Sequence, residues 1–188
     1  MHFIMEQVEG RSSKRVGWVL WVTGLPSSGK STVAKGVAGR LRQLGYRVEV
    51  LESDELRRIL TPNPSYSDEE RDWFYRVVVY IAGLLARNGV NVIIDATGNR
   101  RVYRDRARRL LPRFAEVYVE CPLKVCMRRD VKGLYKKALE GVIRTLPGLQ
   151  TVYEEPLNPE IMVETDRLTP DESVSVVLRE LKRLGYIR

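Results

Sequence analysis

Gly24-Leu25-Pro26-Ser27-Ser28-Gly29-Lys30-Ser31 decides how this chain is read. It fits G-x-x-x-x-G-K-[ST] at every fixed position. A short apolar run, Val16 to Thr23, precedes it, and a helical stretch from about Lys30 to Leu44, closed by Gly45, follows. The spacing has a physical reason. Glycines let backbone N–H groups converge on phosphate oxygens. The helix that starts at Lys30 turns its positive end toward the same anion. Lys30 reaches the β- and γ-phosphates, and the Ser31 hydroxyl is a ligand for Mg2+ bridging them. The stretch, with Thr32, is therefore expected to bind ATP.

Outward from this loop, strands alternate with helices. Arg47 to Glu52, Val92 to Asp95, Phe114 to Glu120 and Ile161 to Glu164 read as strands, with Val92 to Ile94 an apolar run of a buried one. Helical stretches are expected over Asp54 to Leu60, Ser67 to about Asn88, Arg100 to Leu111 (stopped by Pro112), Pro122 to Asp130, Leu134 to Glu140 and Pro170 to Leu184. Ser67 with Glu70 reads as a capping box. The pattern predicts a three-layer α/β fold, a five-stranded parallel sheet with helices on both faces. Ligands of such a sheet bind at the carboxyl ends of its strands.

The 188 residues suit one domain, 16–188, behind an N-terminal tail, 1–15. No apolar stretch is long enough for a membrane span, and the acidic start is unlike a secretory signal, so a cytoplasmic protein with no membrane partner is expected. The net charge is +8, with 24 Arg against 8 Lys, which suits phosphate or sulfate ligands. Cys121 and Cys126, with the single His2 far away, are too few for a zinc site and are expected to be buried thiols.

Asp54 follows the second strand. A carboxylate there orients or deprotonates an attacking hydroxyl, and it also suits the cap of the short helix. Asp95 ends the third strand, where a Mg2+-binding acid is expected beside Ser31. Six arginines crowd residues 100–109, with Arg101, Arg104 and Arg108 on one face. Arg128 and Arg129 lead into a basic, Gly-hinged segment that reads as a lid over the transferring phosphoryl group, around 128–150.

The lid stretch resembles the adenylylsulfate kinase family. Asp130-Val131-Lys132-Gly133-Leu134-Tyr135-Lys136-Lys137-Ala138 is similar to D-P-K-G-L-Y-K-K-A, and Tyr153-Glu154-Glu155-Pro156-Leu157-Asn158-Pro159-Glu160 to Y-E-x-P-x-N-P-E. The likeness runs over roughly residues 16–183. It implies an MgATP-dependent kinase that phosphorylates the 3′-hydroxyl of adenosine 5′-phosphosulfate, in sulfate assimilation. It further implies a homodimer. Lys30 and Asp54 then carry the catalysis. Asp54, Arg57, Tyr66, Arg71, Arg101, Lys132 and Leu149 become the acceptor side, with Tyr66 stacking on adenine and Arg71 on the phosphosulfate.

Departures fall on that acceptor side. The family Asn three residues after its Arg is Phe74, and a Ser sometimes assigned as a phosphorylated intermediate aligns with Gly98. Thr145 to Gln150 replaces F-T-G-I-D. A kinase of another hydroxyl, at a polynucleotide end or on aminoacyl-tRNA, is the alternative. Aromatic content of 8% gives little stacking platform for nucleic acid. A non-catalytic nucleotide-binding protein is a third reading, against which the intact loop and lid stand.

Overall fold

The computed structural model describes residues 16–111 and 113–188. The tail over 1–15 and the helix stop at Pro112 lie outside the described residues. Five strands, β1 (Val19–Thr23), β2 (Val48–Glu52), β3 (Asn91–Asp95), β4 (Phe114–Glu120) and β5 (Ile161–Glu164), form one parallel sheet in the order β2-β3-β1-β4-β5. Among the described residues, seven helices accompany them: α1 (Lys30–Gln43), α2 (Ser53–Leu60), α3 (Asp68–Arg87), α4 (Arg101–Leu110), α5 (Leu123–Arg129), α6 (Leu134–Leu139) and α7 (Pro170–Arg183).

β1 is buried along its whole length. Its side chains alternate, as strand geometry requires. Leu20 and Val22 enter a core with Val33, Val37 and Leu41 of α1 and Val174, Val177 and Leu181 of α7. Val19 and Trp21 enter the opposite core with Phe74 and Val78 of α3 and Tyr103 and Ala107 of α4. From β1 the chain first travels one way across the sheet, to β2 and β3, and then the other way, to β4 and β5. That reversal opens a crevice at the carboxyl end of β1. Among the described residues, no helix is long and apolar enough to cross a membrane.

Three local expectations are corrected. β1 starts at Val19 rather than Val16, because the N–H of Gly17 goes to Ala86 O (2.9 Å) and that of Trp18 to Asn91 Oδ1 (3.2 Å), outside the ladder. Asp54 does not cap α2. Glu52 stands at that position without a side-chain bond, and Asp54 sits within the first turn. The Ser67–Glu70 box is half formed: Ser67 Oγ accepts from Glu70 N, while the Glu70 carboxylate turns to the Ser65 N–H (2.6 Å) and hydroxyl (2.7 Å). α7 carries a full capping box between Thr169 and Glu172.

The arginines of α4 serve the fold. Arg104, 1% exposed, donates to Glu116 of β4 at 2.6 Å and to the carbonyls of Gly98 and Glu154. Arg108 pairs with Glu160 and, at 3.3 Å, with Glu116. Arg106 pairs with Asp72 at 2.7 Å and Arg100 with Asp68 at 2.5 Å. Removing one partner of a buried pair leaves a charge without compensation. Arg104→Met should cost about 3 kcal/mol in urea unfolding, and adding Glu116→Leu should recover part of that loss.

Candidate active site

The phosphate loop leaves β1 through Gly24, whose φ of 152° and closeness to β4 exclude a side chain: a Cβ would lie 2.5 Å from Val119 O. Ser27 also takes a positive φ, 59°. Thr165, just past β5, fixes the loop from below by donating its hydroxyl to Ser28 O at 2.6 Å. Lys30 folds back to donate to Leu25 O at 2.8 Å. A cavity of about 520 Å³ lies over this loop. Of the expected ATP-binding residues, Pro26, Ser27, Gly29, Lys30, Ser31 and Thr32 line it. Gly24, Leu25 and Ser28 shape the loop behind.

Asp95 and Ser31 face this cavity together. Asp95 is 3% exposed, and its Oδ2 is buried without a hydrogen-bond partner. Burial pushes its carboxyl above the usual range, against the pull of the Lys30 ammonium and the Ser31 hydroxyl. Burial likewise holds Lys30 below its usual value, partly offset by Asp95. A buried, unpartnered carboxylate oxygen beside a hydroxyl suits a hard cation. Among the described residues no three His, Cys, Asp or Glu side chains cluster as a metal cage. A Mg2+ ion that takes its other ligands from phosphates and water needs none.

A second cavity, of about 810 Å³, adjoins the first. Pro26, Asp54, Thr97, Lys132 and Leu134 belong to the walls of both. Asp54 and Lys132 form an ion pair across that boundary. The far side of the second cavity is made by Arg57, Arg58, Tyr66 and Arg71. Tyr66 has a φ of 55°, in the left-handed region that non-glycine residues rarely adopt. Its ring lies 5.0 Å from the Arg57 guanidinium carbon and 5.4 Å from that of Arg71. Arg71 also donates to Tyr66 O (3.0 Å), Asn99 Oδ1 (3.4 Å) and Thr145 O (2.9 Å), tying α3 to the loop after β3 and to the lid segment.

The structure separates the expected residues into two groups. Lys30, Ser31, Asp54, Asp95, Arg57, Tyr66, Arg71, Lys132 and Arg129 border the two cavities. Arg101, Arg128 and Leu149 border neither. Arg101 is turned to the 154–155 segment, 3.9 Å from Glu154 Oε2 and 3.3 Å from Glu155 O. Arg128 is exposed. Arg129 is tied to Thr165 O at 2.6 Å, on the wall of the phosphate-loop cavity. The segment around 128–150 reaches both cavities, Val131, Lys132 and Leu134 on one and 142–147 on the other. It is anchored by Tyr135, whose hydroxyl donates to Pro26 O at 3.0 Å. Cys121 and Cys126 are free and buried.

Sequence reasoning missed Thr97 and Thr165. Both follow strands at the carboxyl edge of the sheet, the position that singled out Asp54 and Asp95. Gly98 has a φ of 48°, and a Cβ there would lie 2.8 Å from Trp21 Cζ2, so the loop closes against the core with no room for a serine.

The sequence model of the adenylylsulphate kinase family matches residues 16–164. A probable adenylyl-sulfate kinase of Pyrococcus abyssi is 47% identical over 171 residues, 91% of this chain and 98% of that protein. The adenylyl-sulfate kinase of Rippkaea orientalis is 44% identical over 174 residues, covering 93% and 96% of the two chains. The solved structure of Mycobacterium tuberculosis APS kinase CysC in complex with AMPPNP and APS superposes with a TM-score of 0.83 at 36% identity, over 88% of this chain and 98% of that one.

Lys30 gives a pH signature. A base whose pKa is depressed on folding binds fewer protons folded than unfolded, so stability rises with pH up to its ordinary value of 10.5. Lys30→Met should flatten that alkaline rise in urea-unfolding series, and nucleotide-dependent turnover should fall at least about a thousandfold.

Proposed function

The chain belongs to the adenylylsulphate kinase family and is an ATP-dependent kinase, and we propose that it transfers the γ-phosphoryl group of ATP to the 3′-hydroxyl of adenosine 5′-phosphosulfate. The observation that carries this is the meeting of two cavities at Asp54 and Lys132. One holds a phosphate loop. The other holds arginines around a tyrosine, a lining suited to an anion joined to a flat base.

Each residue then has a role. The loop N–H groups and Lys30 hold the ATP phosphates, once the ammonium turns from Leu25 O to the ligand. Ser31 and Asp95 would hold Mg2+, which supplies charge neutralisation on the transferring group. Asp54 orients the acceptor hydroxyl and receives its proton, at the wall both ligands share. Arg57 and Arg71 bind the phosphosulfate, and Tyr66 lies against the adenine. Residues 128–150 act as the lid, with Lys132 carried on it. Closure excludes water, so the phosphoryl group meets the alcohol and not the solvent. Most of the acceleration comes from alignment and fixed charge.

The product is the activated sulfate donor, and the reaction belongs to sulfate assimilation. We place it in the cytoplasm, where ATP is abundant, and take the active form to be a homodimer.

The test is ATP-dependent conversion of adenosine 5′-phosphosulfate into its 3′-phosphorylated form, followed by chromatography, with a 5′-hydroxyl RNA as the competing acceptor. Phosphorylation of the RNA but not of the phosphosulfate would overturn the assignment. Asp54→Asn should lower kcat by about a hundredfold or more while leaving the KM for ATP within about threefold. Unchanged turnover would remove Asp54 from the chemistry.

A further inference from the structure

Two of the arginines that line the acceptor cavity, Arg57 and Arg71, are held in different ways. Arg71 commits Nε, Nη1 and Nη2 to oxygens of the protein. Arg57 commits one nitrogen. Both of its hydrogen bonds leave from Nη1, to Glu70 Oε1 at 3.1 Å and to Thr61 Oγ1 at 3.4 Å. The second oxygen of Glu70 is taken by Ser65. Among the described residues, Nε and Nη2 of Arg57 have no hydrogen-bond partner, although the residue is only 8% exposed.

The guanidinium carbon of Arg57 lies over the ring of Phe74. The ring centroid lies 3.9 Å from the guanidinium carbon, much closer than that of Tyr66. Phe74 is fully buried and is itself fixed by an edge contact with Tyr75 at 5.3 Å. A stack against a ring face consumes no N–H donor, and it is strongest where water is excluded. An asparagine or a second carboxylate in that place would instead draw on the donors that a ligand needs. Phe74 borders neither cavity.

We infer that Phe74 is a positioning residue for the acceptor: its ring fixes the Arg57 guanidinium so that Nε and Nη2 are presented to the phosphosulfate group. This rests on the reading of the second cavity as the acceptor site. An aliphatic side chain at 74 fills the space but offers no face for the cation. The guanidinium then has to be ordered when the ligand binds, which weakens binding in ground state and transition state alike.

The experiment is steady-state kinetics with each substrate varied separately, on Phe74→Leu, Arg57→Ala and the double variant, alongside thermal unfolding of each. Phe74→Leu should raise the KM for adenosine 5′-phosphosulfate about tenfold, with kcat and the KM for ATP within about threefold. In the Arg57→Ala background the same change should add nothing, because there is no guanidinium left to place. An unchanged KM in Phe74→Leu, an equal rise for ATP, or the same factor in both backgrounds would overturn the inference. If Arg57→Ala itself leaves the KM for the phosphosulfate unaltered, the acceptor reading of the cavity fails and the role of Phe74 falls with it. Phe74→Met, which fills the site with an unbranched chain, takes the place of the leucine variant should that one not fold.

Discussion

A strand covered on both faces can offer a ligand only its end. β1 is in that position, with α1 and α7 packed on one side and α3 and α4 on the other. Its N–H and C=O groups are committed to β3 and β4. The backbone amides that follow Thr23 are the first that can turn toward a solute. They do so at the point where the connections part in opposite directions across the sheet. The phosphate loop, the acids at the carboxyl ends of β2 and β3, and Thr165 after β5 gather there for the same reason.

Arginine does two jobs in this fold, and surroundings decide which. On α4 the guanidinium groups meet carboxylates from β4, α3 and the 154–160 segment, and they brace the loop after β3 through Gly98 O. Around Tyr66, Arg71 meets a ring face, two carbonyls and an amide oxygen, and Arg57 meets two ring faces and a single carboxylate oxygen, Glu70 Oε1. In the second setting Arg57 spends a single nitrogen on the protein and borders a cavity with the rest of its guanidinium uncommitted. The surplus of basic residues is thus partly structural, and the arginines that border the second cavity come from α2, α3 and the 142–147 segment.

The sheet and its helices were legible because each depends on local pattern: apolar runs for buried strands, a fixed loop motif, caps and glycine stops. The carboxyl-edge rule placed Asp54 and Asp95 at the phosphate-loop cavity, and Lys30 and Ser31 followed from the motif. What escaped were facts set by long-range geometry. The spacing of Arg101, Arg104 and Arg108 shows that they share a helix face, not that the face meets Glu116 and Glu160. Asp54 has the right residue type for a cap, yet its partner is Lys132, far along the chain. Thr97 and Thr165 are ordinary residues in sequence, and only the fold reveals what they touch. Phe74 read as a gap in a family pattern; its meaning lies in a ring face turned to a cation.

Gly98 limits the route the phosphoryl group can take. With Trp21 filling the space where a β-carbon would stand, position 98 itself has no room for a hydroxyl that could serve as a relay. Direct passage from nucleotide to alcohol needs no relay at that position. A single displacement turns the phosphorus inside out, so a donor made chiral at that atom with isotopic or sulfur substituents would yield product of the opposite handedness.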